Sequence, residues 1–297
     1  MQILIFGIIS GLSIALLAIA LQSVYLPTRI LFIGLAGIYV LAPYVAFALM
    51  NQGIWWWLAL ILSIIICICV SILCEIFNHG PLSRKNTRVI SQKGLSETIH
   101  FISSLGIFIV LAQLIVIIWG TNTKTLPIRM GMVSHIGSIT ITESQWITLV
   151  TTGLLIFAFM FFLTKTGIGL RMRAMVNNPK VFALLGYNIK FYRIIFFGFA
   201  GLFASVCSLL MAYDVGIDPY YGLQALLIAL VAIIIGGQDS FAGPVVGALF
   251  MGVIREFIAW QFSASWKDGI TFLIFAIFLF LRPQGILGKS SRLEASV

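Results

Sequence analysis

The chain has 297 residues, of which 61% are hydrophobic and 9% are charged, and its mean hydropathy is +1.11. Soluble globular domains carry about 25% charged residues, so this composition excludes a soluble domain and indicates a polytopic membrane protein. A membrane protein can place the formal net charge of +9 on its cytoplasmic side, so the basic excess does not require a nucleic-acid partner.

Nine apolar runs are candidates for membrane-spanning helices, which need about 20 apolar residues each. Two runs are short or are interrupted by Gly or Pro. We therefore predict an all-α bundle, a single transmembrane domain over residues 1–297, with eight to ten membrane segments and one or more broken helices. The runs begin at Ile3, Ile30, Trp55, Ile99, Ile147, Ile194, Leu223, Pro244 and Ile270.

Lys and Arg residues are concentrated in three connections, which the positive-inside rule places in the cytoplasm. They are the loop Arg84–Lys93, the segment 165–193 and the tail 282–297, and they hold 13 of the 18 basic residues. The remaining long connections then lie outside. These are Asn122–Glu143, Asp214–Gly222 and Gln261–Asp268.

The segment 165–193 is the most informative part of the chain. It contains six basic residues and no acidic ones, yet it also holds the apolar stretch Val181–Tyr187. An apolar stretch is unusual in a plain linker. We expect this segment to fold and to dock against a soluble partner.

Metal binding and covalent catalysis have little support. The four Cys residues lie in apolar runs without a Cys-x-x-Cys pair, and the three His residues are scattered over different loops and helix ends. The stretch Gly285–Ser291 is only superficially similar to a phosphate-binding loop, because Pro283 stands where that loop needs Gly. We predict no catalytic residue, no metal site and no enzyme activity.

Glycines and polar residues interrupt the apolar run 233–252 at Gly236, Gly237, Gln238, Asp239 and Ser240. Small residues four apart, here Gly243 and Gly247, let helix backbones approach closely. One interpretation is a tight cytoplasmic turn between two short helices, followed by ordinary helix packing. The other is a break that lines a solute path, since irregular backbone inside a membrane persists only where protein or water satisfies it.

Charged residues within the apolar runs are few. Glu256 lies at a depth where a charge is costly, so it either makes a structural polar contact or lines a path. Its neighbour Arg255 is expected to extend towards the surface. Glu75 is expected at the membrane interface.

The run Arg173–Asn188, RAMVNNPKVFALLGYN, resembles the cytoplasmic loop of ABC transporter permeases of the branched-chain amino acid and urea type. Three further matches follow in the family's order. They are Asp218-Pro219 with Gly222, the glycine-rich break 236–247, and the C-terminal RPQGILG of Arg282–Gly288.

This resemblance implies the permease subunit of an ATP-driven importer for a small polar solute. Branched-chain amino acids are the first candidate, and urea or a short amide is the alternative. The implied partners are two ABC ATPase subunits, a second homologous permease subunit, a periplasmic or extracellular solute-binding protein and membrane lipids. ATP and Mg would be bound by the ATPase subunits, with no cofactor on this chain. The implied location is the bacterial cytoplasmic (inner) membrane, with a cytoplasmic C terminus.

In the family, the segment matching 165–193 couples the permease to the ATPase. A short amphipathic helix that starts at Pro179 and ends at a left-handed turn of Gly186 would fit a groove on such a partner. The coupling residues implied are Arg171, Arg173, Ala174, Asn178, Pro179, Ala183, Leu184, Leu185, Gly186 and Asn188. The residues assigned to the break or a pathway are Gly236, Gly237, Asp239, Ser240, Gly243, Gly247 and Glu256.

Some positions depart from the family pattern. Phe182 replaces a small Ala in the coupling segment, Asp239 replaces a Gly in the break, and LFIGLAG of Leu31–Gly37 replaces an early Asn-Phe-Ala-His-Gly. Two other functions stay open. A secondary transporter or channel without ATPase partners would need ionisable residues in mid-membrane, and a structural scaffold would leave the basic segment unexplained.

Overall fold

The structure, a computed structural model, describes residues 2–83, 93–127, 133–136, 139–216, 218–282 and 284–287. Several residues used in the sequence predictions lie outside these ranges, including most of the first basic loop and the end of the tail. They are Arg84, Lys85, Arg88, Pro283, Gly288, Lys289 and Arg292.

Each of the nine apolar runs forms a helix, and two short helices lie in the segment 165–193. Among the described residues, seven helices are long and apolar enough to cross a membrane, and the other two runs form helices of 16 and 15 residues. The predicted all-α bundle is confirmed. The helices are α1 (Gln2–Thr28), α2 (Gly34–Asn51), α3 (Trp56–Leu73), α4 (Lys93–Trp119), α5 (Glu143–Lys165), α6 (Gly167–Asn177), α7 (Pro179–Leu184), α8 (Ile189–Asp214), α9 (Tyr221–Gly236), α10 (Gly243–Gln261) and α11 (Lys267–Leu281).

Shorter elements complete the described chain. Helix α3 continues through a π-helical turn, Cys74–His79, to Ser83, and a 3₁₀ turn, Ala264–Trp266, precedes α11. The connection after α4 contains an antiparallel hairpin of β1 (Val133–Ile136) and β2 (Ile139–Thr142). This hairpin was not predicted from the sequence, although β2 alternates Ile and Thr, both β-branched residues that favour strands.

Contact between glycines brings α1 and α10 together. Gly7 and Gly11 of α1 face Gly252 of α10, where a Cβ would overlap the backbone of both. Without a hydrophobic driving force in lipid, helices associate through close packing of small residues. The pair Gly7 and Gly11, four residues apart, had the spacing that marks such a surface, but the sequence analysis did not single it out.

The inner face of α3 is a second stripe of small residues. Ala59, Ser63, Cys67 and Ser71 are buried at intervals of four, whereas large residues on the other face, such as Ile65, are exposed. Ser71 Oγ donates a hydrogen bond of 2.6 Å to the carbonyl of Phe197 in α8. This stripe fixes α3 against α8 and leaves its apolar face to lipid.

The two ends of the bundle differ in chemistry. The end that carries α6 and α7 is called the basic end. The opposite end, where α8 finishes at Asp214 and α11 begins at Lys267, holds a cavity and is called the cavity end. Because α8 runs without interruption over 26 residues, it connects the two ends over about 39 Å.

The substitution Gly252→Ala tests the contact between α1 and α10. Its methyl group would meet the α1 backbone, which cannot rotate away as a side chain can, so we expect the free energy of unfolding to fall by about 1–3 kcal/mol. Unfolding in mixed detergent micelles measures this loss. The matched control is Gly153→Ala, whose methyl group meets nothing within 4 Å and which should be neutral or slightly stabilising. Equal stability of the two variants would contradict the packing described here.

Candidate functional site

The basic segment folds into two short helices separated at Asn178. The Asn178 side chain accepts a hydrogen bond of 3.1 Å from the backbone N–H of Val181, and Pro179 occupies the first turn of α7. Gly186 ends α7 with a φ of +82°, a conformation that residues with a Cβ rarely adopt. The predicted start and end of this helix are both confirmed.

One face of α7 is buried and the other is apolar and exposed. Phe182 is buried, with its ring stacked on Tyr187 at 4.9 Å between centroids and edge-on to Tyr192 at 5.1 Å. Phe182 therefore packs on the buried side of α7. Because it points away from solvent, a Phe at the position of the family's Ala does not alter the exposed face. Leu184 is 86% exposed and Leu185 is 68% exposed.

The two short helices also carry exposed cations, Arg171 in α6 and Lys180 in α7. Arg171 is exposed, and its guanidinium lies 5.4 Å from the centre of the Tyr187 ring. Hydrogen bonding to Tyr192 raises the pKa of Arg171, so it stays charged. We call this surface the coupling face. Its exposed residues are Arg171, Ala174, Lys180, Val181, Ala183, Leu184 and Leu185.

Asn188 fastens the coupling face to α8, because its side chain accepts a hydrogen bond of 3.0 Å from the N–H of Lys190 in the first turn. One turn further on, Arg193 forms a two-point ion pair with Glu75, at 2.6 Å from Nε to Oε1 and 3.0 Å from Nη2 to Oε2. Both side chains are nearly buried, at 14% and 5% exposure. The position of Glu75 at the membrane interface stays a prediction, and the structure adds that its charge is paired by Arg193 inside the protein.

A hydrogen-bonded chain leads from this ion pair to two histidines. Arg193 donates to Ser83 Oγ at 3.1 Å, and Ser83 Oγ lies 3.4 Å from His100 Nε2. The Nδ1 atoms of His100 and His79 are 3.3 Å apart. These two histidines are scattered in the sequence, but the fold brings them together. Within the described residues, no group of three or more His, Cys, Asp or Glu could hold a metal ion.

The glycine-rich break is a tight turn between α9 and α10 at the basic end. Gly236 and Gly243 touch backbone to backbone, and Gly247 packs on Ala232. Gln22, fully buried in α1, donates hydrogen bonds to the carbonyls of Gln238 (2.6 Å) and Ser240 (3.3 Å).

Two side chains in this turn have clear local roles. The Ser240 hydroxyl accepts a hydrogen bond of 2.9 Å from the N–H of Gly243, at the start of α10. Asp239 forms a half-exposed ion pair with Arg29 at 3.6 Å. This arrangement corresponds to the first interpretation of the break, a turn followed by close helix packing.

The C-terminal tail completes this turn. The N–H groups of Ile286 and Leu287 donate to the carbonyls of Ile235 (2.8 Å) and Gly236 (3.0 Å), which α9 itself leaves unpaired. Gly285 has a φ of +82°, and a Cβ there would lie 2.6 Å from Gly237 Cα. The Gly-Ile-Leu of RPQGILG therefore has a structural role, which was not predicted from the sequence.

A cavity of about 470 Å³ opens at the cavity end, between α1, α2, α5, α8, α9, α10 and α11. Among the residues predicted for a pathway, Glu256 lines this cavity, and the glycines of the break do not. Its lining combines uncharged polar side chains, among them Ser13, Tyr39 and Thr148, with an apolar group. The apolar lining includes Phe6, Ile9, Ile14, Leu17, Leu210, Met211 and Ile228.

Two ion pairs between α10 and α11 form part of the cavity wall. Arg255 Nη1 lies 2.9 Å from Asp268 Oδ1, and Lys267 Nζ lies 2.8 Å from Glu256 Oε1. Gln224 donates to the second oxygen of Asp268 at 2.5 Å. The expectation that Arg255 extends to the surface was wrong, because its side chain is only 11% exposed and is held by Asp268.

Comparison with known proteins agrees with this architecture. The chain is 28% identical over 298 residues to the high-affinity branched-chain amino acid transport system permease protein LivH of Salmonella typhimurium, covering 95% of this chain and 94% of the relative. It is 26% identical over 304 residues to the corresponding protein BraD of Pseudomonas aeruginosa, covering 97% and 96%.

A solved structure, PsaBC from Streptococcus pneumoniae in complex with Fab, superposes with a TM-score of 0.52 over 95% of this chain and 93% of that chain. The sequence identity is 14%, so this similarity concerns the fold alone. The profile of one protein family matches residues 3–279, nearly the whole chain. The chain therefore belongs to the family described as branched-chain amino acid transport system, permease component.

Proposed function

We propose that this chain is the membrane-spanning permease subunit of an ATP-driven importer with two separate ABC ATPase subunits, one docked on the coupling face of this chain and the other on a second permease subunit. The observation that carries the proposal is the exposed apolar side of α7, where Leu184 is 86% exposed. A short helix that is fixed from beneath and apolar on its outer side suits a groove on a soluble protein. ATP and Mg would be held by the ATPase subunits.

The charge distribution supports an orientation for this arrangement. The basic end would face the cytoplasm of a bacterial cell, as the positive-inside rule predicts, with the C-terminal tail on the same side. The cavity end would then face outwards, where a periplasmic or extracellular solute-binding protein delivers the solute. A second homologous permease subunit would complete the pathway.

The contacts around α8 suggest how movement passes from one end to the other. Force on α7 reaches α8 through Gly186 and Asn188. The ion pair of Arg193 with Glu75 ties the same end of α8 to the end of α3. Because α8 is continuous as far as Asp214 in the cavity wall, a tilt driven by ATP binding would change the shape of the cavity.

Branched-chain amino acids are the proposed solute, because that is the cargo in the names of LivH and BraD, which align over nearly their whole length. The alternative is urea or a short amide. The test uses vesicles with the complete importer in the membrane, the binding protein outside and ATP inside. These vesicles should accumulate labelled leucine, isoleucine and valine. Accumulation of urea without these amino acids would contradict the proposal.

The substitution Gly186→Val tests the coupling segment. A β-branched residue resists a φ of +82°, so α7 should lose its orientation, and we expect ATP-driven uptake to fall at least tenfold while insertion into the membrane is unchanged. The matched control is Gly120→Val, since Gly120 has the same φ and equally free space but lies at the cavity end. Normal uptake by the Gly186 variant would count against the coupling role.

The variant Arg193→Met tests the tie between α8 and α3. It leaves the buried Glu75 carboxylate unpaired, which should lower the free energy of unfolding by about 3–5 kcal/mol. Replacing both partners, in Arg193→Met with Glu75→Leu, should restore most of the stability because no buried charge remains. Detergent-induced unfolding measures both variants. A double variant as unstable as the single one would show that the ion pair is not the cause.

A further inference from the structure

The cavity wall combines two kinds of surface. One part is aliphatic, with Ile9, Leu17 and Ile228. The other part carries two cations and two anions, Arg255, Lys267, Glu256 and Asp268, at the facing ends of α10 and α11. A third anion of the wall, Asp214, accepts a hydrogen bond of 2.5 Å from Ser144 and takes no part in these pairs. A cavity of about 470 Å³ is within the usual size range of small-molecule sites, about 300–1,000 Å³.

Helix packing alone does not account for these four charges. Partly buried ion pairs are costly to desolvate, and apolar contacts often hold two helices together equally well. Small residues already provide such contacts elsewhere in this bundle. Four charges that face a cavity of this size suit a ligand that carries charges itself.

We propose that this cavity binds one free aliphatic α-amino acid. The ligand's carboxylate would be bound by Arg255 and Lys267, and its ammonium group by Glu256 and Asp268. Its side chain would lie against the aliphatic wall. The proposal rests on the importer function proposed above and deepens it, because it places recognition of the amino-acid backbone within this chain.

Charge balance explains why a zwitterion fits best. When the ion pairs open, the ligand's carboxylate can take the place of the acidic side chains beside Arg255 and Lys267. The ligand's ammonium group can take the place of the basic side chains beside Glu256 and Asp268. No charge of these two pairs is then left without a partner. A ligand with only a carboxylate would leave an anion of the site without a partner. A charged group that stays buried without a partner costs free energy. Urea has no net charge at either end and could not replace an ion-pair partner.

The exchange also suits transport. Binding that replaces one ion pair by another gives little net affinity, and a site on a transport path must release its ligand readily. Selection among amino acids would then come from the aliphatic wall. Selection for an amino acid over other solutes would come from the charges.

Binding of tritiated L-leucine to the importer, assembled with its partner subunits but without the solute-binding protein, tests the site. Unlabelled competitors separate the contributions of the ligand groups. L-leucine should compete at least tenfold better than leucinol, which lacks the carboxylate, than 4-methylpentanoate, which lacks the ammonium group, and than urea. Equal competition by leucinol or 4-methylpentanoate would overturn the proposal, as would the absence of leucine binding.

Two variants test the residues. Arg255→Gln with Asp268→Asn removes one pair without leaving a lone charge, and Glu256→Lys with Lys267→Glu reverses the other pair but keeps the bridge between the helices. Each should weaken leucine binding at least tenfold. The second variant separates recognition from structure, because it preserves the ion pair.

The control is Lys124→Gln, which removes a cation from the same end of the bundle but outside the cavity wall. It should bind leucine like the wild type. If the wild-type importer accumulates leucine and both double variants bind it unchanged, the site is wrong while the importer function stands. If the wild-type importer accumulates no amino acid, the proposed function itself fails.

Discussion

Contact between helix backbones is the constraint on which this bundle depends. In lipid, helices gain nothing from hiding apolar side chains from one another, so they associate where small residues allow backbones to touch. Here Gly252 meets Gly7 and Gly11, and Gly236 meets Gly243. These contacts set the positions of α1, α9 and α10, and those three helices form much of the cavity wall. The site is therefore positioned by residues that do not themselves line it.

Ion pairs at the two ends of the bundle join further helices to those that the glycine contacts hold together. At the basic end, Arg193 and Glu75 join α8 to the end of α3. At the cavity end, Arg255 with Asp268 and Lys267 with Glu256 join α10 to α11. Each pair lies within a chain that is otherwise apolar, where a single charge would be expensive. Three of the four ion pairs among the described residues thus lie at the two places where the proposed transport cycle needs a defined arrangement, the attachment of the coupling face and the cavity wall.

Local patterns in the sequence were enough to predict the helices. They were not enough to predict contacts between distant residues. The apolar runs gave all nine longer helices, and Pro179 and Gly186 gave both limits of α7, because these signals depend on neighbouring residues only. The ion pair of Glu75 was not predicted because its partner, Arg193, lies 118 residues away. Arg255 was misplaced for a similar reason, since Asp268 meets it only after the chain reverses direction. The cavity itself joins seven helices, and no local pattern in the sequence marks such a meeting point.

The contact between α1 and α10 also determines when the bundle can reach its native packing during synthesis. Gly11 and Gly252 are neighbours in space, yet most of the chain separates them, so the first helix enters the bilayer long before its partner is translated. Until then the small residues of α1 have only lipid or other helices beside them. The last residues described, Ile286 and Leu287, then close the end of α9. Leu287 must therefore be translated before the bundle can form these backbone hydrogen bonds.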